Sequence, residues 1–181
     1  MMTVNLQYPS QSETTGLIKV QLNFDESLAF PTVGAQANSL LRGAIPAKFR
    51  LLEGDPAVSY ATPLPVLAYD PREILIEKCR AILTRTAPKW RDLVDLYLLE
   101  KDLKLRVEDF RPEIVNKARR AVRAVTRYRE QAQTYNARQA ALLEEDVRPL
   151  LLKPIDHAAF QVYRERVVGF LGGLLPEVLD A

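Results

Sequence analysis

The sequence predicts an α+β fold: a small antiparallel or mixed sheet followed by a helical half. Three observations predict it. The first third contains short runs that alternate apolar and polar residues. From Asp70 the spacing of apolar residues becomes helical, and Pro and Gly punctuate the chain between runs. The expected division is a β-rich portion over 1–70 and a helical portion over 71–181.

TVNLQY (3–8) alternates moderately, and PSQSETTG (9–16) is rich in turn formers. LIKVQLNF (17–24) alternates cleanly, with Ile18, Val20, Leu22 and Phe24 on one face and Lys19, Gln21 and Asn23 on the other. Two such runs around a turn predict a hairpin. Residues 25–47 read as irregular, with FRLL (49–52) and PVLAY (65–69) as further short strands. Asp70 then offers an N-cap, with Pro71 at the first helical position and Glu73 completing the start signal. This first helix should run to about Thr86, and Pro88 should separate it from a second over about 89–102. A long helix is expected from about 110, capped near Asp109 and reaching about 145, with a break allowed near Asn136. Asp156 should cap a last helix over about 157–171, which Gly172 and Gly173 should stop.

With 181 residues, 48% hydrophobic and 27% charged, the chain is long and apolar enough to bury a core without covalent staples. One cysteine, Cys79, excludes an intramolecular disulfide and a cysteine zinc site, and fits a cytoplasmic location. One histidine, His157, excludes histidine-rich metal chemistry and reads as a first-turn surface residue. A net charge of +2 supports no global argument for nucleic acid. No apolar run reaches the roughly 18–20 residues of a membrane helix, and the N-terminus lacks the pattern of a secretory signal.

The first two helices carry charge where packing is expected. Lys78 and Arg85 are seven apart, so they line up to within about 20° on one helix face, with small Ala81 between them. Leu75, Cys79, Ile82 and Thr86 take another face, with Ile76 and Leu83 beside it. Two long cations in a row suit a polyphosphate; from pattern alone they suit a wet surface or a core carboxylate better. On the second helix Arg91 and Asp95 are spaced to pair with each other. Asp92 then either complements the helix dipole or faces the Lys78–Arg85 row. Trp90 reads as a packing anchor.

These residues stand in EKCRAILTRTAPKWRDLVDLYLL (77–99). The stretch resembles the third and fourth motifs of the AbiEii family, nucleotidyltransferase-like toxins of type IV toxin–antitoxin systems. The family pattern is roughly E-K-x-x-A-x-x-x-R, a spacer, then R-D-x-x-D-L; Glu77, Lys78, Ala81, Arg85, Arg91, Asp92, Asp95 and Leu96 fill it. The hairpin YPSQSETTGLIKVQLNF and the lead-in YDPREI are similar as well, so the resemblance covers most of 3–100. It implies a partial nucleotidyltransferase-like domain that moves a nucleoside monophosphate from an NTP to RNA, the 3′ end of tRNA in particular. It also implies magnesium, and a cognate antitoxin of the transcriptional-regulator type. In that scheme Lys78 and Asp92 are catalytic, Lys78 and Arg85 hold phosphate, and Glu77, Arg91, Asp95 and Gln21 support them.

The family's first motif, a Gly-rich segment followed by D-x-D that holds the metal, has no counterpart in this sequence. Gln21 stands where the hairpin often carries a carboxylate, and a neutral amide is a weak magnesium ligand. The expectation is therefore a truncated, split or degenerate member. The alternative function is a catalytically inactive module that binds RNA or a partner.

Between Arg111 and Arg129 stand seven basic residues and one acid, Glu113. Lys117, Arg120, Arg123 and Arg127 cluster on one stripe, opposite Val115, Ala118, Val122 and Val125. Such a stripe suits a phosphodiester backbone, with Tyr128 and Tyr135 available for stacking; it equally suits solvent or an acidic protein.

Overall fold

The computed structural model describes residues 2–9, 15–22, 27–38, 62–86, 89–138, 151 and 154–180. Among the described residues four strands are followed by seven α-helices, so the α+β class holds. Strands β1 (Met2–Pro9) and β2 (Thr15–Leu22) form one antiparallel pair, with Val4 opposite Val20 and Leu6 opposite Ile18. Strands β3 (Val33–Ala37) and β4 (Leu64–Ala68) form a second, with Ala35 opposite Val66. The β1–β2 pair is the expected hairpin, and β4 is the strand expected at 65–69. β3 lies inside the stretch read as irregular. VGAQA has neither a long run nor a polar alternation to announce it; pairing with β4 makes it a strand. The strand expected at 49–52 lies outside the described residues.

Helix α1 (Pro71–Thr84) starts as expected: Asp70 accepts from the backbone N–H of Arg72 at 2.8 Å. Glu73 does something else. Its buried carboxylate accepts from the backbone N–H groups of Ala29 and Phe30, at 2.8 and 3.0 Å, and pairs with Lys117. It thereby ties the segment before β3 to the helices. Leu75, Ile76, Cys79, Ile82 and Leu83 are fully buried, each worth about 1.5–3 kcal/mol for the larger side chains. Thr86, expected on that face, lies past the helix end and is exposed.

Helix α2 (Trp90–Leu103) packs on α1 and ends at Lys104, whose left-handed φ of 60° stops the helix. Trp90 is buried against Phe160 and under the Arg164 guanidinium, as an anchor should be. Within the described residues the long helix expected from 110 is three, and its expected end near 145 lies outside them. After a 3-10 turn (Val107–Phe110) come α3 (Arg111–Ala124), α4 (Thr126–Gln133) and α5 (Tyr135–Arg138). Phe110 precedes α3 without a side-chain cap, so Asp109 does not cap it. Val125 is extended, φ −134° and ψ 108°, and its β-branched side chain suits the break. Asp156 caps α6 (His157–Gly173), accepting from Ala158 and Ala159. The two glycines fall in its last turn, and α7 (Leu175–Leu179) follows Leu174.

The core lies among the helices. α1 packs on α2, α3 and α4; α6 packs on α2; α7 packs on α3 and α4. No described helix is long and apolar enough to cross a membrane.

Candidate phosphate-holding site on the first two helices

The row on α1 meets a carboxylate on α2. Lys78 Nζ donates to Asp92 Oδ1 at 2.8 Å, and Arg85 Nη1 donates to Asp92 Oδ2 at 2.6 Å. One carboxylate therefore spends one oxygen on each cation. Asp92 is 1% exposed, while Lys78 and Arg85 are 25% and 39% exposed. The anion is the buried member and the two cations reach toward solvent. Asp92 also stands in the first turn of α2, where the helix dipole favours negative charge. Both readings of Asp92 are satisfied by one placement.

Asp95 does not pair with Arg91. Its Oδ2 lies 2.6 Å from Lys78 Nζ. Asp92 and Asp95 are three apart, so both project from the α2 face that meets α1. Asp95 is 44% exposed, and Arg91 is exposed with no ion pair among the described residues. Burial alone would lower the Lys78 pKa; the hydrogen bonds to Asp92 and Asp95 outweigh it and hold the ammonium above its ordinary value. Ala81, between the two cations in sequence, is buried.

Glu77 faces the other way. It binds Arg80, with Nε at 3.1 Å, and lies 3.5 Å from Lys117 Nζ. Lys117, expected on the exposed basic stripe, is instead held between Glu73 and Glu77. A lysine beside two carboxylates is better solvated by them than by a distant phosphate. Gln21 stands on β2 opposite Thr3, and its side chain lies outside the described residues.

The rest of the basic run divides by partner. Arg111 pairs with Glu177, Arg119 donates to the Glu177 carbonyl at 2.7 Å and Arg129 to the Leu179 carbonyl at 3.1 Å, so these three tie down α7. Arg120, Arg123 and Arg127 are exposed and meet no carboxylate among the described residues. Arg120 donates to the Ser27 hydroxyl, and Arg127 Nη2 to Thr86 Oγ1 at 2.7 Å. Thr86 follows Arg85, so the stripe adjoins the cluster at that end. Tyr128 lies beside Arg80, whose guanidinium carbon is 5.6 Å from the ring centre. Tyr135 is not available for stacking: it is buried, and its hydroxyl donates to the Val168 carbonyl at 3.1 Å. Sequence spacing missed the roles of Glu73 and Thr86. Glu73 carried the signal of a capping residue, and Thr86 read as part of the apolar face of the first helix.

The model of the nucleotidyl transferase AbiEii toxin family, type IV toxin–antitoxin system, matches residues 2–178. The chain belongs to the AbiEii family. No curated protein and no solved structure matches it. AbiEii membership brings nucleotidyl-transfer chemistry on an NTP and a cognate antitoxin as partner.

It also implies magnesium, and the described residues do not fit that ion. No group of three or more His, Cys, Asp or Glu among them is placed to hold a metal. The nearest carboxylates are committed: Asp92 and Asp95 to Lys78 and Arg85, Glu73 to two amides and Lys117, Glu77 to Arg80 and Lys117. A carboxylate already neutralised by two cations is a poor ligand for a third.

Proposed function

We propose that Lys78 and Arg85 hold the phosphate tail of a nucleoside triphosphate, and that the acceptor is RNA, in the first instance the 3′ end of tRNA. The observation that carries the reading is the single buried carboxylate, Asp92, that holds two solvent-reaching cations in a row. A cation needs no such fixing to sit on a wet surface. It needs it to meet a ligand in a set geometry. Asp92, with both oxygens engaged, acts by positioning Lys78 and Arg85 rather than by taking a proton. In the transfer, the acceptor hydroxyl oxygen bonds to the α-phosphorus and the bond to pyrophosphate breaks. Pyrophosphate leaves and the hydroxyl proton passes to solvent water. Lys78 and Arg85 steady the β- and γ-phosphates, where the leaving group gathers charge. Arg120, Arg123 and Arg127 hold the RNA backbone. The setting is cytoplasmic, and the antitoxin is of the transcriptional-regulator type.

The test is labelling of tRNA from radiolabelled NTPs in the presence of magnesium. Labelling that is lost in Lys78→Ala is expected, and labelling that survives that change would overturn the assignment.

The commitment of the nearby described carboxylates to Lys78, Arg85, Arg80 and Lys117 favours a second reading, a module that binds RNA without transfer. It predicts no labelling, but RNA binding that falls with salt and with neutralisation of Arg120, Arg123 and Arg127.

A further inference from the structure

The cluster as it stands is closed. Two cations face two carboxylates, and the ammonium that should meet phosphate already touches both Asp92 and Asp95. The two carboxylates are not equivalent. Asp92 is buried and bridges two cations; Asp95 is nearly half exposed and holds Lys78 alone. An incoming phosphate would displace the carboxylate with one contact and open access to water. A second partner for that carboxylate is at hand. Arg91 lies one helical turn before Asp95 on α2, at the spacing at which side chains meet, and is exposed without an ion pair among the described residues.

We propose that Asp95 is an electrostatic latch on the phosphate site: it occupies Lys78 when the site is empty and swings to Arg91 when a polyphosphate binds. The inference rests on the reading of Lys78 and Arg85 as phosphate holders. Removing the latch charge leaves the positioning carboxylate Asp92 in place and shifts the cluster from neutral to net positive. Asp95 therefore sets a threshold. It excludes anions of low charge such as chloride or inorganic phosphate at low concentration, which do not repel it strongly enough, and yields to the denser charge of a triphosphate.

The experiment is calorimetric titration of the full chain with inorganic tripolyphosphate, without metal, and separately with inorganic phosphate. Asp95→Asn should bind tripolyphosphate about three- to tenfold more tightly than the parent, and should gain proportionally more for inorganic phosphate. The gain should vanish in the Lys78→Ala, Asp95→Asn double variant. Arg91→Ala should weaken tripolyphosphate binding more in the parent than in the Asp95→Asn background, because only the parent has a carboxylate to hand over. Circular dichroism melts confirm that each variant is folded. If the parent binds through Lys78 and Asp95→Asn binds equally or more weakly, the latch is wrong and the phosphate site stands. If neither protein binds tripolyphosphate, both fall.

Discussion

Asp92 and Asp95 are three residues apart, carry the same charge and touch the same lysine, yet their removal should cost very different amounts. Asp92→Ala takes away two charge-assisted hydrogen bonds, to Lys78 and Arg85. Such bonds are worth about 1.5–3 kcal/mol each when fully desolvated. Here both cations reach water, at 25% and 39% exposure, and Lys78 keeps Asp95. Rehydration therefore returns part of the loss, and the burial cost of the carboxylate itself is relieved. The balance is about 2 kcal/mol lost, or a fall in Tm of about 4–8 °C for a domain of this size. Asp95→Ala removes one exposed pair and should cost at most about 1 kcal/mol. Urea denaturation followed by circular dichroism, with m-values held in common, measures both. Equal costs for the two variants would refute the reasoning, because burial would then not distinguish them. So would an Asp92→Ala protein as stable as the parent.

Other predictions follow from the same contacts. Glu73→Ala leaves two backbone N–H groups and Lys117 without their buried acceptor and should cost about 3–5 kcal/mol; Glu73→Gln still offers an oxygen to the amides and should cost less than half as much, by urea midpoint. Arg164 is buried, its Nε has no hydrogen bond and burial pulls its pKa down; Arg164→Met should leave stability unchanged or raise it, and a loss above about 2 kcal/mol would show that its charge is needed. Two groups contribute to the pH profile at its ends. Arg72's hydrogen bonds hold the Asp70 carboxyl below its ordinary 3.8, so its contribution is present above that value and is lost as pH falls through the lower folded one. Lys78 titrates above its ordinary 10.5, so its contribution is present below 10.5 and is lost as pH rises through the higher folded value. Asp70→Asn, which retains a capping oxygen, should flatten the acid limb, and Lys78→Met the alkaline one.

What spacing alone reveals is visible in the site itself. The heptad relation between Lys78 and Arg85 needs only helix geometry, and a neighbouring helix two residues past a proline had to meet α1 somewhere along its face. Hence the row and its opposing Asp92 were legible. The Arg91–Asp95 pair was not what formed, because a four-residue spacing identifies candidates within one helix and is blind to a better partner on the next. Lys117 failed for the same reason: its helical angle puts it with Arg120 and Arg123, but two carboxylates on α1 capture it. The break at Val125 splits what charge periodicity reads as one continuous stripe. Strand β3 shows the limit from the other side, since a short run of small residues becomes a strand only through its partner.

On the proposed reading the charges also divide the work of binding between two surfaces. Lys78, Arg85, Asp92 and Asp95 cancel, so from beyond the Debye length of roughly 8–10 Å the cluster presents no net field. On that reading these four charges act mainly on a polyanion that has already arrived. Arg120, Arg123 and Arg127 reach solvent, meet no carboxylate among the described residues, and adjoin the cluster through the contact of Arg127 with Thr86. On the proposed reading they supply attraction and the cluster supplies geometry. Salt should then separate the two steps. Three phosphate contacts on a single strand give a slope of log affinity against log salt near −2, a loss of roughly twentyfold between 50 and 200 mM. Tripolyphosphate, gripped at close range by partly buried cations, should lose only a few-fold over the same interval. Fluorescence anisotropy for RNA and calorimetry for tripolyphosphate give the two slopes. Slopes that coincide would mean that one surface does both jobs, and the division argued from Asp92 and Asp95 would fail.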